Sequence, residues 1–198
     1  MRKIILQTML LCSATIVNAE EPILGGPCQG CEFVFQDMPK EILPTAILVP
    51  SNTVGEPMIV SGTVYNNDGT VAPDIIIYAY QTNSKGVYPK GENFHGSLKA
   101  WARTDMSGKF VFNTIRPGAY PDRPEPEHIH LHVIEENKGT YFIDSVEFTD
   151  DPLLTDEVRA NRKCRGGCGI VTPTKNSDGV WEAVRNIKLG KGITDYKQ

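Results

Sequence analysis

The sequence predicts an all-β fold, an antiparallel β-sandwich, on three observations. Short runs of β-branched and aromatic residues recur along the chain, turns rich in Gly, Asn and Asp separate them, and 14 prolines with 18 glycines disfavour long helices. Met58 to Tyr65 alternates and runs into Asn66-Asn67-Asp68-Gly69, a turn whose Asn and Gly tolerate positive φ. Asp74 to Gln81 is a second run, after which a loop carrying Tyr88 and His95 extends to about Leu98. Lys99 to Thr104 and Lys109 to Ile115 flank Asp105-Met106-Ser107-Gly108 and read as a hairpin. Beyond a proline-rich loop, Glu127 to Glu135 and Thr140 to Phe148 are expected to pair across Glu136-Asn137-Lys138-Gly139. Val180 to Leu189 supplies a last strand. Only Asp150 to Arg162 suits a short helix, with Asp151-Pro152 as its start.

The first residues are not expected to belong to the fold. Arg2 and Lys3 precede an apolar run, Ile4 to Val17, and Val17-Asn18-Ala19 offers small residues for cleavage, the layout of a secretory signal peptide over 1–19. A secreted or periplasmic protein follows. Glu20 to Pro57 has no clear period and reads as an N-terminal arm over 20–57, leaving one domain over 58–198. The formal net charge is −4, and loss of Arg2 and Lys3 would take it to −6. With no basic patch, nucleic acid and anionic membranes are not expected partners.

Four cysteines remain after residue 19, as Cys28-x-x-Cys31 and Cys164-x-x-x-Cys168. In an oxidising compartment they read as two disulfides, expected to tie the arm to a late loop. A structural zinc site and a redox Cys-x-x-Cys are the rival readings. The chain contains no Gly-rich phosphate loop after a strand, no Gly-x-Ser-x-Gly elbow and no His-Glu-x-x-His helix. Those absences weigh against nucleotide-dependent, α/β-hydrolase and zincin chemistry.

The candidate site lies between Thr114 and Val133. Three of the four histidines stand at 128, 130 and 132, and on a strand alternate side chains share a face. Imidazole suits iron, copper, nickel and zinc, and a rigid strand holds such ligands with little ordering cost. Tyr120 lies just upstream in the proline loop. Phenolate is a hard donor suited to Fe(III), and a trivalent ion lowers a phenol's pKa toward neutrality.

Several segments in order resemble the intradiol ring-cleavage dioxygenases, non-haem iron enzymes that open catechols between their hydroxyls. They are Ser61 to Gly69, Ile77-Tyr-Ala-Tyr-Gln-Thr-Asn83 leading to Gly86-Val-Tyr88, Arg103 to Pro121, His128-Ile-His130, and Phe148-Thr-Asp-Asp-Pro-Leu153. The resemblance implies a sandwich of prealbumin/transthyretin-like type with long active-site loops. It implies that Tyr88, Tyr120, His128 and His130 bind Fe(III), that Tyr120 is catalytic, taking up a substrate proton, and that the partners are an aromatic diol and O₂. Self-association into a homo-oligomer is left open. Two departures stand out. Glu125 occupies the position, three before the first histidine, where the family carries an arginine, and Ser145 replaces a family glutamine. Arg123 is the nearby candidate to supply the charge. These changes bear on turnover more than on iron binding. Glu125 and Glu127 are expected to repel an acidic catechol.

His132 is read as packing or as a support behind the ligands, with a third histidine ligand as its functional alternative. His95 is read as a loop residue able to line the substrate mouth, and Arg116 as a turn anchor. Two other functions fit the same residues: a transthyretin-like binding domain with a degraded iron site, and a cupin-like metalloenzyme, since His128-x-His130 is followed by Glu135.

Overall fold

The computed structural model describes residues 22–28 and 30–197, so the expected signal peptide over 1–19 lies outside the described residues. Strands form at Thr45–Ile47 (β1), Pro57–Tyr65 (β2), Ile76–Gln81 (β3), Lys99–Arg103 (β4), Lys109–Ile115 (β5) and His128–Glu135 (β6). They continue at Gly139–Phe148 (β7), Ile170–Val171 (β8), Thr174–Lys175 (β9), Trp181–Val184 (β10) and Ile187–Lys188 (β11). A 3₁₀ turn at Cys31–Phe33 and a short helix, Asp156–Ala160 (α1), complete the described elements. The fold is all-β.

Two sheets result, one ordered β1-β5-β2-β10-β9 with β11 also on β2, the other β4-β3-β6-β7-β8. The alternation in β2 buries Met58, Val60 and Val64, which join Phe110 and Phe112 of β5 in a core shared with Ile77, Ala79, Ile129, Leu131, Val133 and Ile143 of the other sheet. Each large side chain fully buried there contributes about 1.5–3 kcal/mol. The opposite face of β3 and β6 is left for the site.

Several expectations are corrected. The sheets are mixed rather than purely antiparallel: β1 runs parallel to β5, β10 and β11 to β2, and β8 to β7. These short strands come from the arm and the tail, which reach the sheets through long connections rather than tight turns. β1 itself lies in the stretch expected to be an irregular arm. The Asp105–Gly108 turn forms, with Asp105 Oδ1 accepting from Ser107 N at 2.8 Å and Lys109 N at 2.9 Å, but its flanking strands do not make a hairpin. β5 has both edges taken, by β1 and β2, so β4 pairs with β3 in the other sheet and the turn becomes a corner between sheets.

The strand expected over Val180 to Leu189 is divided at Arg185 and Asn186. The Arg185 side chain is 1% exposed and donates to the carbonyls of Gly166, Gly167 and Asn186, while Asn186 Oδ1 takes the Thr63 N–H at 3.0 Å. The helix starts at Thr155, whose hydroxyl accepts from Val158 N, because Asp151 is occupied with Glu127 N and Leu153 N. The disulfides are local, Cys28–Cys31 and Cys164–Cys168, and neither ties arm to late loop. That tie is made instead by Arg165 Nη1 donating to Gly25 O at 3.2 Å and Gly25 N to Thr194 O at 3.0 Å.

Candidate metal centre

β6 places Ile129, Leu131 and Val133 in the core and His128, His130 and His132 on the other face. Opposite them β3 pairs Tyr80 with His130 and Tyr78 with His132. The Tyr80 ring stacks on His130 with centroids 4.4 Å apart at 16°, which fixes the imidazole plane. His128 Nδ1 lies 2.6 Å from Pro126 O. A carbonyl cannot donate, so Nδ1 of His128 carries the proton and Nε2 presents a lone pair. That Nε2 faces His130 Nε2 at 3.0 Å. On β7 a bulge sets Asp144 and Ser145 together against His130, because Ile129 pairs with Val146 but Leu131 with Ile143. Ser145 Oγ thereby reaches 3.4 Å from His130 Nδ1, the extra residue having re-aimed a side chain as bulges do.

The tyrosines arrive on two loops that touch. Asn83 organises both, donating to Val87 O and accepting at its carbonyl from Gly86 N and Gly118 N. Gly86 has φ +75, and a Cβ there would overlap the Ala119 carbonyl oxygen; one on Gly118 would meet Gly86 N. This close crossing brings Tyr88 OH to 2.7 Å from Tyr120 OH, and Tyr120 OH to 3.3 Å from His128 Nε2. The start of β6 is anchored by Arg116, which pairs with Glu127 at 2.7 Å and Asp150 at 2.8 Å, and by Asp151, which accepts Glu127 N at 2.6 Å. Arg116 thus anchors more than a turn: it also lies over the Phe148 and Trp181 rings.

Burial pushes the Tyr88 phenol well above its usual range, with the hydrogen bond to Tyr120 adding to it, and burial also raises Tyr120. Burial, reinforced by His128 and His132, holds His130 well below the imidazole range. The histidines therefore offer nitrogen lone pairs, while each phenol must lose a proton to become a ligand. Two imidazole nitrogens and two phenol oxygens are linked in one chain of 2.7 to 3.3 Å separations, atoms of the kinds that bind transition metals. Hard phenolates with imidazole fit Fe(III).

Beside the donors is a cavity of about 370 Å³, lined among others by Tyr80, Glu125, His128, His130, Ser145 and Arg162. Arg123 does not line it. Its guanidinium lies over the Tyr120 ring, 4.1 Å from the centroid, with Glu125 at 3.5 Å. Glu127 faces Arg116, so of the two acids expected to repel an acidic substrate only Glu125 borders the cavity. His95 is not at a mouth. It is fully buried behind Tyr80, rings 3.8 Å apart, with Nδ1 2.9 Å from Tyr78 OH. Glu135, the acid of the cupin-like spacing, sits at the far end of β6, where Tyr141 and Tyr196 donate to it.

Residues overlooked in the sequence complete the site. Tyr78 and Tyr80 were visible as alternate positions of one strand, yet nothing local marked them as the wall behind the histidines. Arg162 pairs with Glu147, which opposes His128 across the sheet, through Nε and Oε2 at 2.8 Å. Two residues 15 apart in different elements carry no local signal.

A family model described as Dioxygenase matches residues 35–180. The chain belongs to the intradiol ring-cleavage dioxygenases. Over 115 residues it is 31% identical to the beta chain of protocatechuate 3,4-dioxygenase from Burkholderia cepacia, covering 51% of this chain and 48% of that one. Over 127 residues it is 28% identical to catechol 1,2-dioxygenase from Acinetobacter baylyi, covering 54% and 40%. The chain thus spans about half the length of the curated relatives it matches. Among solved structures, 3-chlorocatechol 1,2-dioxygenase from Rhodococcus opacus superposes with a TM-score of 0.64 at 19% identity, over 84% of this chain and 70% of that one. A Streptomyces dioxygenase domain from a fusion with a carbohydrate-binding protein gives 0.59 at 21%, over 77% and 91%. These two likenesses establish an intradiol dioxygenase fold, and the cupin-like reading is withdrawn.

Proposed function

We propose that this intradiol dioxygenase is an exported, ferric-iron-dependent enzyme that opens a catechol-type diol with O₂ to a muconate-type diacid. The observation that carries the reading is the convergence of Tyr88 OH, Tyr120 OH, His128 Nε2 and His130 Nε2. Export is supported by two disulfides, which persist in oxidising compartments. The shared core of the two sheets supports a prealbumin-type sandwich, with 20–57 as an arm on a domain over 58–198.

Tyr88, Tyr120, His128 and His130 would hold ferric iron, which would supply Lewis acidity toward a bound diol. The chain's residues do the rest. Tyr120, with Arg123 over its ring, is the phenolate that takes up a diol proton at its oxygen. Burial keeps His130 neutral, and Pro126 O keeps the His128 proton on Nδ1, so both Nε2 atoms stay available. Tyr80, held between the His95 and His130 rings, fixes the plane of His130. Glu125 at the cavity disfavours carboxylated catechols, so the substrate is a neutral or cationic diol.

One observation favours a second reading, a binding domain without turnover: Arg162, the guanidinium at the cavity, is committed to Glu147. Iron-loaded protein is to be given catechol and neutral substituted catechols while oxygen uptake and ultraviolet absorbance are followed. Equimolar O₂ uptake and formation of a conjugated diacid support the enzyme. Tight catechol binding with neither supports the binding domain.

A further inference from the structure

Behind the tyrosine and histidine cluster lies a second group of soft donors. Among the described residues, Cys28 Sγ, Cys31 Sγ and His132 Nδ1 all lie within 4.8 Å of one another. Cys31 is 1% exposed, its sulfur 3.5 Å from His132 Nδ1. Cys28 and His132 both line the 370 Å³ cavity, which gives this corner a route from solvent. A further buried group faces the same loop without a partner. His95 Nε2 makes no hydrogen bond, its residue is 0% exposed, and a Cβ on Gly30, between the cysteines, would overlap it. A buried imidazole nitrogen left unpaired carries a cost that a ligand at this loop would relieve.

The cysteines are joined as a disulfide, which offers no thiolate. Opened, two thiolates and an imidazole make the donor set that selects zinc-class cations over hard oxygen-seeking ones. We propose that reduction of Cys28–Cys31 creates a binding site for one borderline divalent cation, held by Cys28, Cys31 and His132 in the cavity wall. Cys28 and His132 border the cavity, so a water from it can fill the fourth position, while His95 Nε2 faces the same loop from its buried side. The chemistry balances with a phosphine reductant: phosphine, water and the disulfide give phosphine oxide and two thiols. Each thiol then releases its proton as the cation binds. This site uses no residue of the iron set.

The test uses iron-loaded protein, oxidised or reduced with a phosphine, titrated with Co²⁺ as a spectroscopic stand-in for zinc. Reduced protein is expected to develop a near-ultraviolet sulfur-to-cobalt charge-transfer band that saturates at one equivalent and is bleached by Zn²⁺; oxidised protein develops none. Cys28→Ser abolishes the band, the Cys164→Ser/Cys168→Ser double variant keeps it, and His132→Ala weakens Co²⁺ binding by at least about tenfold. A reduced wild type without the band overturns the proposal, as does a band that survives Cys28→Ser or is unmoved by His132→Ala. Should Cys28→Ser fold poorly, Cys28→Ala in the same titration takes its place. Because the readout is a thiolate band, its failure leaves the dioxygenase reading standing.

Discussion

Gly86 passes so close beneath Ala119 that no side chain fits between them. The two loops that carry Tyr88 and Tyr120 meet at this point, so their approach depends on a hydrogen atom at 86. Gly86→Ala adds a Cβ to a residue at φ +75 and forces it into a carbonyl oxygen. The variant is expected to lose about 1–3 kcal/mol of stability in urea unfolding and to retain less iron after dialysis. Gly69→Ala is the control: it has φ +90 but nothing within 4 Å of its Cβ, so it should show only backbone strain and full iron content.

The Arg162 and Glu147 pair borders the cavity, and Glu147 is 7% exposed on its side chain. Arg162→Ala strands a buried carboxylate opposite His128 and is expected to cost about 2–4 kcal/mol. Glu147→Gln in the same chain should recover much of that loss, since the uncompensated charge is gone. A double-mutant cycle from urea midpoints measures the coupling; simple additivity would contradict it.

Stability should fall with acid in a defined window. Burial, with Lys99 adding to it, depresses His95 to about 4 from the ordinary 6.5. The folded state therefore keeps His95 neutral while the unfolded chain binds a proton. Its stabilisation is fully present above about pH 6.5 and is lost as pH drops toward 4, at up to about 1.4 kcal/mol per pH unit. His95→Gln should flatten the pH dependence of the urea midpoint in that window by this amount. An unchanged slope would show that His95 titrates alike in both states.

Much of this molecule was legible as alternation. Runs such as Met58 to Tyr65 and Lys109 to Ile115 became β2 and β5 because their apolar positions repeat every two residues, the period that buries one face. The shared face of His128, His130 and His132 was legible for the same reason. Strand partners were not, since the corner at Asp105 has a hairpin's residues and only the prior claim of β1 and β2 on β5 sends β4 elsewhere. The break at Arg185 was hidden too, because an arginine in a strand pattern gives no sign that it will turn inward to bond carbonyls. Cysteine pairing and the Tyr80 wall depend on which loops meet in space, which spacing along the chain does not record.

The most direct test of the account is the visible absorption of the ferric-loaded protein beside that of Tyr120→Phe. Two phenolates on one ferric ion predict a burgundy protein whose charge-transfer band weakens and shifts when Tyr120 is lost. A colourless protein, or a band unchanged by Tyr120→Phe, would contradict the convergence of Tyr88, Tyr120, His128 and His130 on a ferric centre.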